Sequence, residues 1–73
     1  MKVNLESTTK IVSLNGIDCR VWEGCTESGI PVHAYIPRIA VDKELPQEQF
    51  VRELEEHRVP SVEVQAIPLR LIL

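Results

Sequence analysis

The sequence has few of the residues from which disulfide-linked scaffolds and membrane spans are built. Its 73 residues include two cysteines, Cys19 and Cys25, and a single close pair does not make a disulfide framework. No stretch approaches the roughly 20 consecutive apolar residues that a membrane-spanning helix needs. The first ten residues also lack the apolar centre of a signal peptide. We therefore expect a cytoplasmic protein with reduced thiols and no membrane partner.

Positive charge is scarce as well. Eight Lys and Arg residues stand against eleven Asp and Glu residues, which gives a net charge of −3, and no two basic residues are adjacent. Nucleic acids are bound largely through clustered Lys and Arg, so binding of DNA or RNA is disfavoured. A nucleic-acid-associated regulator would need the scattered arginines to meet on one face of the fold. Those arginines are Arg20, Arg38, Arg52, Arg58 and Arg70.

The motifs of common catalytic and metal sites are also missing. There is no Gly-rich phosphate loop, no HExxH pattern and no EF-hand loop. Cys19, Cys25, His33 and His57 offer zinc-ligand chemistry, but five residues separate the two cysteines where a zinc knuckle has two to four. A nucleophilic pair of Cys25 with either histidine has no supporting local signature. We expect a non-enzymatic protein with no cofactor and no metal.

The Asn15-Gly16 pair predicts a β-hairpin. It separates two runs in which apolar and polar side chains alternate, and Asn-Gly tolerates the positive φ angles of a type I′ turn. We expect the two strands at residues 9–14 and 17–23. Residues 1–8 are polar and show no period of two, which predicts a flexible N-terminal arm ahead of a single domain at residues 9–73.

The remaining sequence predicts a third strand, a helix and a last strand. The third strand is expected at residues 30–41, where Pro31 and Pro37 indicate either an edge strand or a bulge near Pro37 that splits it. Pro46 suits the first position of a helix, which is expected over residues 46–58 with the acidic side chains near its end in solvent. Alternating residues then predict a fourth strand within 61–73. The order β-β-β-α-β gives an α+β fold, a four-stranded and mostly antiparallel sheet with one helix packed on one face.

Aromatic residues supply the best candidates for a binding surface. Large aromatics beside arginine are typical of interaction hot spots, and Arg20 shares a strand face with Trp22. If the helix covers the other face of the sheet, an amphipathic interaction surface is left exposed. It comprises Arg20, Trp22, His33 and Tyr35. The alternative is that Trp22 packs beneath the helix against Phe50 and Leu54, because so short a chain needs its large side chains for a core.

The last residues, Ile67–Leu73, form the most hydrophobic segment of the chain. As a central strand this segment would belong to the core. As an edge strand it could pair with its symmetry mate and close a homodimer.

Two stretches of the sequence carry a resemblance. Residues 11–24 (IVSLNGIDCRVWEG) and 66–73 (AIPLRLIL) look like small proteins encoded by bacteriophages and prophages, a group that implies no particular activity. The β-β-β-α order is also similar to small antitoxin domains of the HicB type. This chain lacks the Pro-Asp-Leu-Pro-Gly-Cys strand end of those domains, so their function is not carried over.

Together these features favour a module that acts by protein–protein contact, with itself as a homodimer or with another protein, and that originates from a phage or prophage. The second hypothesis is a nucleic-acid-associated or antitoxin-like regulator. The third is a small metal or thiol enzyme.

Overall fold

The computed structural model describes residues 1–65 and has an α+β fold. Three strands form an antiparallel sheet in the order β1-β2-β3, and two helices follow them. The strands are β1 (Val3–Leu14), β2 (Ile17–Thr26) and β3 (Pro31–Ile36). The helices are α1 (Gln47–Leu54) and the single turn α2 (Val62–Gln65).

The predicted hairpin is confirmed. Leu14 pairs with Ile17 across the turn, and both turn residues have positive φ, 52° at Asn15 and 79° at Gly16. These angles define the primed turn whose twist matches that of the two strands.

The predicted N-terminal arm is wrong from Val3 onward, because β1 begins there and pairs with the far end of β2. The first residues of β1 are mostly polar, and their pairing with β2 is a long-range contact that the local pattern does not reveal. The register shifts at a β-bulge between Ser7 and Ile11, where four residue steps on β1 span two on β2. Close approach of the strands also depends on Gly24, since a Cβ atom at that position would overlap the carbonyl oxygen of Asn4.

The third strand and the helix are shorter than predicted. β3 stops at Ile36, directly before Pro37, which has no N–H to continue a ladder. α1 ends at Leu54 instead of Arg58. The backbone of Arg58 instead joins the outer edge of β1. Its N–H donates to the Ser7 carbonyl at 3.1 Å, and its own carbonyl accepts from the Thr9 N–H at 2.9 Å.

The predicted fourth strand is wrong over Val62–Gln65, which forms a helical turn. The Ser61 hydroxyl accepts a hydrogen bond from the Val64 N–H at 3.3 Å, a side-chain contact that favours a turn over an extended strand. Residues 66–73, and with them the hydrophobic segment expected to form core or dimer, lie outside the described residues. Within residues 1–65 the nearest equivalent of a fourth strand is the single parallel bridge between Thr8 and Arg58.

The two faces of the sheet have different surroundings. On one face, which we call the Val21 face, β2 contributes buried Cys19, Val21 and Glu23, and Val64 of α2 is buried too. The opposite face carries Trp22 and lies beneath the end of α1; we call it the Trp22 face. No residue of α1 is buried. In the described part of the chain, no helix is long and apolar enough to cross a membrane.

Candidate functional site

The four residues predicted as one interaction surface are divided between the two faces. Trp22 pairs with Ala34, whereas Tyr35 pairs with Val21 and His33 pairs with Glu23. Directly paired residues of antiparallel strands place their side chains on the same face. Arg20 and Trp22 therefore lie on the Trp22 face, whereas His33 and Tyr35 lie on the Val21 face.

His33 and Tyr35 form a pair of their own. Their rings meet edge to face, with centroids 5.5 Å apart and planes at 85°. The Tyr35 hydroxyl is buried and has no hydrogen-bond partner among the described residues, and its burial raises the pKa of Tyr35.

The Trp22 face carries an open cleft of about 450 Å³ next to α1. Arg20, Trp22 and Ile36 of the sheet contribute its strand side. The opposite side is supplied by the chain that follows β3 and by the end of α1. These residues are Pro37, Arg38, Ile39, Leu54 and His57. The guanidinium groups of Arg20 and Arg38 line this cleft, and no carboxylate among residues 1–65 does. We call it the basic cleft.

A second cleft of about 750 Å³ lies on the β1 side and also includes Trp22 and His57. Three carboxylates from the end of α1 and the turn after it line this second cleft, which we call the acidic cleft. They are Glu53, Glu55 and Glu56; Glu6 and Arg58, which pair with each other, also line this cleft. Trp22 and His57 line both clefts, so they form the divide between a positively charged and a negatively charged half of one surface.

The two guanidinium groups of the basic cleft differ in how they are held. Arg20 Nη1 donates to the Thr8 carbonyl at 2.8 Å, which covers a backbone acceptor left open by the β1 bulge. Arg38 is exposed and makes no ion pair with another residue of the described range 1–65. Arg38 therefore offers a free cation, whereas Arg20 offers a fixed one.

His57 is positioned by a contact that the sequence did not predict. The Ser7 hydroxyl donates to the Glu56 carbonyl at 2.8 Å and lies 2.9 Å from His57 Nδ1. Because the hydroxyl proton is used in the first bond, the second requires Nδ1–H as donor. The imidazole is then not placed to take a proton from Ser7, so the pair acts as a tie between β1 and the end of α1.

A buried ion pair closes the Val21 face. Arg58 Nη1 lies 2.8 Å from Glu23 Oε1, and the Ser61 N–H and hydroxyl both donate to Glu23 Oε2 at 3.2 Å. Burial by itself raises the pKa of Glu23. The hydrogen bonds from Arg58 and Ser61, together with the positive charge of Arg58, outweigh this effect and lower the pKa below 4.5. Arg58 also reaches exposed Glu6 at 3.3 Å.

The cysteines stand apart from both clefts. Cys19 is buried with its thiol 3.6 Å from the Ile17 carbonyl, and Cys25 is exposed. Both are free thiols. Across residues 1–65, no three His, Cys, Asp or Glu side chains lie close enough together to hold a metal ion.

Comparison with known proteins does not assign the chain to a family. No family model matches it. No curated protein and no solved structure gives a match either.

Proposed function

We propose that this protein is a non-enzymatic interaction module that binds a protein partner across the Trp22 face. The observation that carries the proposal is the position of Trp22. The only tryptophan of the chain is partly buried between two open clefts of opposite charge. A partly covered aromatic flanked by arginine, apolar groups and a polar rim has the make-up of an interaction hot spot.

The small described core supports the same role. Within residues 1–65 the buried apolar side chains are Cys19, Val21 and Val64. On α1, by contrast, Val51 is 51% exposed and Leu54 is 43% exposed. A helix that leaves its apolar side chains in solvent next to an open cleft gains stability when a partner covers it.

The distribution of arginines gives less support to the nucleic-acid alternative. Arg20 and Arg38 share the basic cleft, but Arg58 lines the acidic cleft and is paired with two carboxylates. Arg52 lies on α1, and Arg70 is outside the described residues. The adjoining acidic cleft would repel a phosphate backbone.

A phage or prophage origin remains part of the proposal and would give the module one of two tasks. It would act as an inhibitor of a host protein or as a small virion-assembly factor. Both tasks depend on contact with another polypeptide and need no catalytic group.

Site-directed photocrosslinking tests the proposal. A benzophenone side chain is introduced at Leu54, on the rim of the basic cleft, and the protein is irradiated in a lysate of the organism that encodes it. We expect defined adducts, either with a second copy of the chain or with one other protein. Masses of the adducts are then measured by mass spectrometry.

The matched control is the same side chain at Ile17, which is 57% exposed but lies at the hairpin turn, away from both clefts. Adducts formed from Leu54 and not from Ile17 support binding at the Trp22 face. Identical products from the two positions, or none from either, contradict the proposed function.

A further inference from the structure

We infer that the partner at the Trp22 face is a second copy of this chain, docked about a two-fold axis that runs along the divide formed by Trp22 and His57. This inference rests on the proposed function and names the partner. Its basis is the arrangement of charge on either side of the divide.

The Trp22 face is bipolar. Arg20 and Arg38 lie on the side toward β3, and Glu53, Glu55 and Glu56 of the acidic cleft lie on the side toward β1. Among the described residues these carboxylates make no ion pair, and neither does Arg38. Charges of opposite sign that are unpaired within residues 1–65 therefore face solvent on either side of the divide.

A surface of this kind is complementary to itself. In a two-fold dimer whose axis lies in the interface, each half of the face meets the opposite half of the same face on the partner. The basic cleft of one protomer then faces the acidic cleft of the other, twice by symmetry. A different protein would need a negatively charged patch opposite the basic cleft and a positively charged patch opposite the acidic cleft. A second copy of this chain already has both patches at the required positions.

The apolar groups lie where such a dimer would bury them. Trp22 is on the divide, so it would lie near its own symmetry mate, where hot-spot aromatics cluster. Leu54 and Ile39 line the basic cleft, and each is more than one-third exposed in the single chain. Association would cover these side chains and leave the charges at the rim.

The first measurement is the mass of the purified full-length chain by light scattering across a dilution series. Tryptophan fluorescence is recorded at the same concentrations. Because the chain has one tryptophan, its emission reports on the divide alone. We expect a dimer that dissociates on dilution, with emission moving to longer wavelength as Trp22 returns to water. High salt is expected to weaken the dimer, because the rim charges become screened.

Charge-swap variants test the pairing. Arg38→Glu places like charges opposite each other at two symmetry-related contacts, so we expect the dimer to dissociate at about tenfold higher concentration. Glu55→Arg is expected to act similarly. The double variant carries both changes in one chain and should regain the affinity of the original protein. Arg52→Glu is the matched control, since it makes the same change in net charge but lines neither cleft.

The outcomes separate this inference from the proposed function. Weakening by each single change, recovery in the double variant and no effect of Arg52→Glu support the two-fold dimer. A dimer that ignores Arg38→Glu and Glu55→Arg overturns it, because the interface is then elsewhere. A strict monomer also overturns it. Crosslinking of a foreign protein at Leu54 would in that case leave the proposed function standing, whereas no crosslink would remove both.

Discussion

Substitution of Glu23 by Gln tests how the segment after α1 is held to the sheet. The side chain is only 11% exposed and accepts three bonds, one from Arg58 and two from Ser61. Gln keeps the shape of the side chain but loses the charge. It also presents an N–H₂ group to donors that need an acceptor.

The expected cost follows from the exposure of the two partners. Breaking a fully buried ion pair costs about 3–5 kcal/mol, chiefly because one charge is left unpaired and dry. Here the Arg58 side chain is 38% exposed, so it recovers part of its hydration when Glu23 is neutral. We therefore expect a loss of about 2 kcal/mol in the free energy of unfolding, or about 10 °C in Tm for a domain of this size.

The same contact predicts a dependence on pH. The pKa of Glu23 is lowered in the folded state from its ordinary value of 4.5. The ionised carboxylate thus contributes stability that is fully present above pH 4.5 and is lost as the pH falls through the folded-state pKa. Urea unfolding from pH 7 down to pH 3 should show a constant difference between the original protein and Glu23→Gln above this value, and a shrinking difference below it.

Glu6→Gln is the matched control, because Glu6 contacts the same guanidinium group at 3.3 Å but its side chain is 76% exposed. An exposed pair of this kind contributes about 0–1 kcal/mol. If Glu23→Gln costs no more than Glu6→Gln, or if its cost is the same at pH 3 and pH 7, the reasoning from burial is refuted.

Four further substitutions have expected outcomes that urea unfolding can check. Gly24→Ala should lower the free energy of unfolding by more than about 2 kcal/mol, because the new Cβ overlaps the β1 backbone. Gly29→Ala, at φ 90° in open space, should lower it by about 1 kcal/mol. Equal losses would contradict the close approach of β1 and β2 at Gly24. Ser7→Ala should cost about 1 kcal/mol and speed amide exchange just after α1, and unchanged exchange would argue against the tie. Tyr35→Phe should stabilise by about 1 kcal/mol, since its hydroxyl is buried without a partner in the described region, and a loss of stability would point to an unseen partner.

Local rules predicted the parts of the fold that depend on neighbouring residues. Asn15-Gly16 determined the turn, and the alternation around it determined most of β2, because both signals act within a few residues. The start of β1 escaped prediction because its residues are mostly polar and their pairing with the far end of β2 is a long-range contact. The end of α1 was not predicted because the backbone of Arg58 forms hydrogen bonds with β1, which is distant in the sequence. Helical periodicity carries no information about such a contact.

The candidate site shows the same division between local and long-range information. Arg20 and Trp22 were placed together correctly because they are two residues apart on one strand. Joining them to His33 and Tyr35 required the register between β2 and β3, and a shift of one residue moves every side chain of a strand to the opposite face. The sequence specifies each strand's alternation but leaves that register open.

The two faces of the sheet use charge in opposite ways, and this difference argues for their roles. On the Val21 face, Glu23 and Arg58 form a partly buried ion pair, so the charges there already have partners within the chain. Among the described residues of the Trp22 face, Arg38 and Glu55 make no ion pair. Charges kept apart on either side of a single tryptophan cost little in water and acquire partners only when a second surface of the reverse polarity arrives.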